Sequence, residues 1–314
     1  MELFSQQLIN ALVLGGIYAL IAVGYTMVYG IIELINFAHG EIFMFGAYFA
    51  FTLVTGFNLP FWAAVPISML LCAGIGMLMD LVAYRPLRNA ARLSALITAI
   101  GVSIGLQNLA RIIWGARQRP FPPESLPTFL RQGIPPSEPL PAFSFTETAI
   151  ALPGGAFLPY RDLCIILLAL ILMIALNRLV SLTKIGKAMR ACAQNRVAAN
   201  LMGINTNRVI VITFAIGSAL GAVAGVMVGM KEIIEPTMGY YKGVAAFAAA
   251  VLGGIGNITG AMLGGLLIGF AEVFGAGYIP GGSGYRVAIP YIVMIVVIII
   301  RPSGLFGKST ATRA

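Results

Sequence analysis

The stretch LINALVLGGIYALIAVGYTMVYGIIELINFAHGE, residues 8–41, decides the fold. Residues 8–30 carry no Asp, Glu, Lys or Arg, and a run of about 20 such residues is what a hydrocarbon layer roughly 30 Å thick requires of a helix. A polar cluster follows at once, with Glu33, Asn36, His39 and Glu41 standing between this run and the next. Working outward, further apolar segments lie at 41–58, 61–84, 93–114, 161–180, 207–230, 241–275 and 285–301. The chain as a whole is 59% hydrophobic and only 10% charged, whereas a soluble domain has roughly a quarter of its residues charged. The bilayer is therefore the solvent, and the expected fold class is an all-α polytopic membrane protein.

The run at 241–275 is too long for one ordinary span and is interrupted by Gly253-Gly254-Ile255-Gly256-Asn257-Ile258-Thr259-Gly260. It reads as two spans, or as a re-entrant element followed by a span. The expected count is eight transmembrane helices, or nine, with glycine-rich broken or re-entrant segments. Both breaks, GIIELINFAHGE and GGIGNITG, combine glycine with asparagine and are weak candidates for counterparts in two repeats. Gly217, Gly221, Gly225 and Gly229 recur at four-residue spacing and suit close helix packing.

The net charge of +9 sits in short connections rather than on one polar face, which the positive-inside rule explains better than nucleic-acid binding does. Arg178, Lys184, Lys187, Arg190, Arg196 and Arg208 share one connection without an acid, and Arg85, Arg88 and Arg92 share another; both are expected in the cytoplasm. Between them lies the connection at 115–160, where arginines are matched by Glu124, Glu138 and Glu147 and ten prolines argue against helix or packed sheet. It is expected to be an outer, largely irregular loop, serving as a docking surface or a tether. The same counting places the N-terminus outside and the tail with Arg301, Lys308 and Arg313 inside.

Chemistry is sparse. The single histidine, His39, has no second histidine at zinc-site spacing, and Cys72, Cys164 and Cys192 form no CxxC pair. The tail GLFGKS at 304–309 is no phosphate-binding loop, because Pro302 stands where GxxxxGK[ST] needs glycine. No enzyme and no cofactor is expected, and an ATPase driving this chain must be another polypeptide.

The basic connection KIGKAMRACAQNRVAANLMGIN, residues 184–205, is more informative. Met189, Ala193, Val197 and Leu201 recur every four residues and predict one short amphipathic helix with a single apolar stripe. Gly203 is positioned to stop it, and Asn205 or Thr206 to cap the next span. Such a helix either fixes topology or fits a groove on a cytoplasmic partner.

Three segments then resemble a known family. YALIAVGYTMVYGIIELINFAHGE (18–41), RACAQNRVAANLMGINTNRVI (190–210) and AAVLGGIGNITGAMLGG (249–265) look like the LivH-type permease of bacterial branched-chain amino acid ABC importers, and the resemblance runs over nearly the whole chain. It implies one permease domain over 1–314, a proline-rich periplasmic loop at 115–160 and a cytoplasmic coupling-helix loop at 183–205, in the bacterial inner membrane. The implied partners are a second related permease, two cytoplasmic ATPase subunits, a periplasmic substrate-binding protein and membrane lipid. ATPase coupling would fall on Arg190, Asn195, Arg196, Asn200 and Gly203. Alternating access would involve the path or break residues Glu33, Asn36, His39, Glu41, Gly253, Gly254, Gly256 and Asn257. The implied cargo is leucine, isoleucine or valine; related permeases carry urea, short amides or aromatic acids. The rival class is an ion-coupled secondary carrier, for which Glu33, Glu41 and Glu272 are the available carboxylates. A passive channel is the weaker third, since no filter motif or ring of charge is present.

Overall fold

A computed structural model describes residues 2–88, 90–131, 149–152 and 155–307. Each apolar run becomes helix: α1 (Glu2–Ile32), α2 (His39–Thr55), α3 (Phe61–Met79) with a π-helical turn Asp80–Tyr84, α4 (Arg92–Trp114), α5 (Tyr160–Leu182), α6 (Lys184–Gln194), α7 (Arg196–Leu201), α8 (Thr206–Gly229), α9 (Met238–Gly253), α10 (Ile258–Tyr278) and α11 (Ala288–Ile300). Among the described residues six helices, the lone α1, α3 with its turn, α4, α5, α8 and α10, are long and apolar enough to cross a membrane. The long run at 241–275 is divided into α9 and α10 at its glycine-rich break.

α1 is apolar all round and is buried almost all round, which makes it the central post. It runs antiparallel to α10, with Gly15 against Leu266 and Gly269, and Ala19 against Gly265. A side chain on Gly265 or Gly269 would overlap the α1 backbone. In lipid, helix association is driven by such close van der Waals contact rather than by the hydrophobic effect, so small residues at the crossing set how near the two backbones come. By contrast α3, α4 and α5 bury one side only and leave Leu70, Ile97, Ile112 and Ile171 exposed.

The packing repeats itself. α1 lies antiparallel on α10 as α8 lies antiparallel on α3, where Gly76 meets Ser218 and Arg88 reaches Asn207. Likewise α2 packs on α8 as α9 packs on α1, and α2 on α3 as α9 on α10. The units α1–α4 and α8–α11 are therefore related by an approximate two-fold rotation, with α5–α7 joining them. This pairs the 33–38 connection with the 230–237 connection, so GIIELINFAHGE and GGIGNITG are not counterparts; the latter is the short turn between α9 and α10.

α2 and α9 have 17 and 16 residues, and at about 1.5 Å per residue neither reaches the roughly 30 Å of a hydrocarbon core. His39, the first residue of α2, packs against Gly24, well back from the end of α1 at Ile32. Gly239 of α9 abuts Gly40, whereas Gly229 at the end of α8 abuts Ala47, further along α2. Both connections thus fold back into the bundle before the next helix starts, and the two N-termini meet inside it. Backbone broken at such depth is tolerated only where protein encloses it, and α2 is buried on nearly every side.

The glycines at 217, 221, 225 and 229 do serve packing: His39, Phe43 and Ala47 of α2 lie against them. The single stripe expected over 189–201 does not form. Asn195 is extended at φ −159° and breaks the segment into α6 and α7, leaving Met189 buried while Val197 and Leu201 are 70% and 82% exposed. Asn195 accepts from the Ala198 N–H at 3.0 Å as the cap of α7, a competing local bond that four-residue spacing does not register. Gly203, at φ +83°, ends α7, and Asn205 caps α8 through the Arg208 N–H, as their positions imply. In the 115–160 connection the described parts include two 3-10 turns and a small antiparallel hairpin, β1 (Ala149–Ala151) and β2 (Phe157–Pro159), which proline content had disfavoured. Pro135, Pro136, Pro139, Pro141, Pro153, Glu138 and Glu147 lie outside the described residues, as do Lys308 and Arg313.

The α1–α10 contact makes a sharp prediction. Gly265→Val should cost about 3 kcal/mol or more, as overpacking against backbone does, whereas Gly101→Ala, with open space around it, should be neutral. Size-exclusion recovery of detergent-solubilised protein after graded heating reads the difference.

Candidate functional site

The break after α1 is built from polar groups in a dry setting. Glu33 ends α1 with φ +58°, uncommon for a residue with a side chain, and is exposed. Asn36, His39 and Glu41 are buried. Asn36 Oδ1 accepts from the Tyr84 hydroxyl at 2.7 Å, fixing the connection to the turn after α3. The His39 ring fits the notch left by Gly24 and meets Tyr25 edge to face at 4.9 Å between centroids. The structure buries these three against different elements, Asn36 on the turn after α3, His39 on α1 and Glu41 on α4, and leaves Glu33 exposed.

Glu41 lies in the first turn of α2, where the positive end of a helix favours a carboxylate. It is fully buried; its Oε1 accepts from Ser103 Oγ and Gln107 Nε2, each at 2.9 Å. Its Oε2 has no hydrogen-bond partner and lies against Gly239, in the first turn of α9, where a side chain would collide with it. Ser103 and Gln107 were missed from sequence: α4 also carries Ser94, Thr98, Asn108 and Arg111, and the available signal is their four-residue spacing, which sets them on one face. Beside them, a cavity of about 550 Å3 opens between α1, α4 and α9, walled by Tyr25, Phe37, Ile100, Ile104, Tyr240 and Val244.

Gly253, Gly254, Gly256 and Asn257 sit elsewhere, at the α9–α10 turn. Gly253 packs directly on Gly260, and Asn257 caps α10 through the Gly260 N–H at 3.0 Å while donating to the Phe306 carbonyl at 3.0 Å. Leu305 N–H also bonds the Leu252 carbonyl at 2.8 Å, so the chain after α11 is laced to this turn.

At the end of the bundle that carries α6 and α7, Arg190 donates to the Val180 and Ser181 carbonyls, covering the last turn of α5. Arg196 Nη2 donates to the Ile32 carbonyl at 3.1 Å, which ties α7 to the last residue of α1. Asn200 is exposed. Val197, Leu201 and Met202 stand 70%, 82% and 83% exposed on the same short element. Cys192 is buried in α6, and burial pushes its thiol up against the opposing charge of Arg196, which fits packing rather than reactivity. Nearby, Arg88 pairs with the fully buried Asp80 at 2.6 Å.

The opposite end is laced by a second set of charges. Lys231 pairs with Asp162 at 2.6 Å, Lys242 with Glu232 at 3.0 Å and Arg286 with Glu272 at 2.8 Å. Tyr18 donates to the other oxygen of Glu272 at 2.7 Å. Glu272 is thus an interior polar contact with a fixed cation, which no sequence spacing revealed. A second cavity, of about 440 Å3, lies here between α1, α8 and α10.

Residues 7–298 match the family described as branched-chain amino acid transport system / permease component. The high-affinity branched-chain amino acid transport system permease protein BraD of Pseudomonas aeruginosa is 42% identical, over 97% of this chain and 96% of its own. LivH of Escherichia coli, bearing the same description, is 39% identical over the same shares. A probable LivH of Methanocaldococcus jannaschii is 28% identical over 95% of this chain and 91% of its own. No solved structure matches.

The contact between Gly24 and His39 is open to a suppressor experiment. Gly24→Ala should lower the yield of folded protein several-fold, since the added carbon overlaps the ring. Adding His39→Ala to that chain should restore most of it, by making room at about the cost of a cavity. Recovery in membrane fractions reports both.

Proposed function

This chain belongs to the branched-chain amino acid transport system permease family, and from that membership we propose that it is one of the two membrane subunits of an ATP-driven importer of leucine, isoleucine and valine. Its place is the inner membrane, as a multi-pass protein. The permease does no chemistry of its own: it opens a route alternately to either side while ATP is hydrolysed elsewhere.

The observation that carries the coupling half of this reading is α7. It presents a small apolar knob of Val197, Leu201 and Met202 to water amid basic residues, and holds through Arg196 the end of α1. A knob of that kind suits a groove on a cytoplasmic motor, and the Arg196 bond gives motor movement a grip on α1 and on the break at Glu33. Arg190, Asn195 and Gly203 set the shape of the element; Asn200 is available for contact.

In this reading all nine long and short apolar helices are membrane elements, with α2 and α9 as half-helices that start at mid-depth. The α6–α7 end is cytoplasmic and the 115–160 loop periplasmic, available to the binding protein. Crossings of that order give α1–α4 and α8–α11 opposite orientations in the membrane, a plan that places a transport site where the broken helices meet. A second permease covers the side of α4 and α9, where Asn108, Tyr240 and Tyr241 are otherwise exposed.

Uptake of labelled leucine into proteoliposomes holding this chain with a second permease, two ATPases and the binding protein tests the function. Uptake should need ATP at the motor face and survive an ionophore; movement by this chain alone that collapses with an ion gradient would make it a secondary carrier instead, and ATP-dependent uptake of urea, a short amide or an aromatic acid would change only the cargo. Cysteine at Gln194 should label from the cytoplasm and at Glu124 from outside, and the reverse would overturn the orientation. Arg196→Ala should leave the complex assembled and hydrolysing ATP but cut uptake about tenfold, the scale of a lost hydrogen bond from a charged group.

A further inference from the structure

We propose that the cavity between α4 and α9 is a resting site for an amino acid zwitterion, in which Glu41 supplies the counter-charge for the ammonium group. The proposal rests on the permease reading above and names the ligand contacts within it.

Four observations converge. Glu41 is fully buried and belongs to none of the ion pairs among the described residues. A carboxylate without a cation is costly in a medium of low polarity, and the other buried acids, Asp80, Asp162 and Glu272, each have a fixed Arg or Lys. Among the buried acids described, Glu41 is the one without a paired cation, and its Oε2 has no hydrogen-bond partner.

The two side chains between Glu41 and the cavity are suited to relay that charge. Ser103 and Gln107 spend donor hydrogens on Oε1 and both line the cavity. Gln107 Nε2 also reaches Ser103 Oγ at 3.4 Å, so what they retain is acceptor capacity, the Gln107 carbonyl oxygen and one Ser103 lone pair, which is what an ammonium group needs. The carboxylate of the same ligand has a different partner. Thr237 precedes α9 without a side-chain cap bond, and its hydroxyl donates to Glu235 at 3.2 Å. The uncapped first turn of α9, at the cavity wall, is the positive end of a half-helix, a setting that accepts a substrate carboxylate. Phe37, Ile100, Ile104 and Val244 give the wall an apolar part that suits an aliphatic side chain, and Tyr25, Tyr240 and Tyr241 complete it. At about 550 Å3 the cavity is within the usual range for a small-molecule site.

The assembled importer, first shown to take up leucine with ATP, is the sample; failure at that step would sink the permease reading and leave this one aside from the comparison. A diazirine analogue of leucine, delivered on the binding protein, is irradiated in the resting and vanadate-trapped complexes, and adducts are mapped by peptide mass. Adducts should fall within 100–107 and 237–244, and Glu41→Gln, which keeps the shape and hydrogen bonds, should reduce them and leucine uptake about tenfold or more, the value of a charged partner. That variant should still assemble with its partner subunits, as size exclusion reads. Ile104→Trp, which fills the cavity from α4, should block uptake in an assembled complex. Adducts confined to the segments at 7–17 and 273–286 around the other cavity, equal labelling in Glu41→Gln, or no adduct on this chain in a transporting complex would each overturn the assignment.

Discussion

Helices that share a solvent as apolar as themselves gain nothing from hiding leucine from lipid, so in this chain the nearness of backbones sets the architecture. The glycines of α1 and α10 allow one such approach and the glycine ladder of α8 allows another, to α2. With α1 held on α10 and α8 on α3, two slots remain in the centre, and α2 and α9 occupy them. The half-helices are short because they begin inside. Their broken approaches, 33–38 and 230–237, turn inward against the long helices at Asn36, Ala38, Ile234 and Pro236, the enclosure that broken backbone needs in hydrocarbon.

That constraint determines where polarity is permitted. Each buried acid described meets a cation or donors: Asp80 with Arg88 of the following connection, Asp162 with Lys231 after α8, Glu272 with Arg286 before α11 and Tyr18 of α1, Glu41 with Ser103 and Gln107 of α4. Three of these are neutralised pairs that lace the ends of the bundle. Among the described buried acids Glu41 differs in having only neutral partners, and it sits where the N-termini of α2 and α9 converge. At the far end of α1 Arg196 donates to the Ile32 carbonyl, the bond through which the proposed coupling of α7 to the break would run.

Much of this was legible early. Run length marked the helices, because hydration of a spanning segment is penalised residue by residue and leaves a signal in composition. Gly203 and Asn205 were readable as a stop and a cap because the bonds they make are local. Asn195 misled the reading for the same kind of reason: its cap on α7 overrides a four-residue stripe, and periodicity does not register a single side-chain bond. The glycine stretch at 253–260 reads as a path or helix-break element, and a break it is: a tight turn between α9 and α10 with Asn257 as cap. Glu33 looked equal to its neighbours in the cluster, yet the end of α1 leaves it exposed and carries Asn36, His39 and Glu41 inward.

The sequence by itself determined the solvent, the helical segments, the basic ends and, through three long segments, the family; each of these follows from interactions within a short window of chain or from composition. Only the tertiary structure decided which carboxylates are neutralised, that α2 and α9 start within the bundle, and that Ser103 and Gln107 of α4 stand beside Glu41. Those facts depend on helices far apart in the chain coming within hydrogen-bond reach, and the distance between two helices is set by side chains on both, which no single stretch of sequence contains.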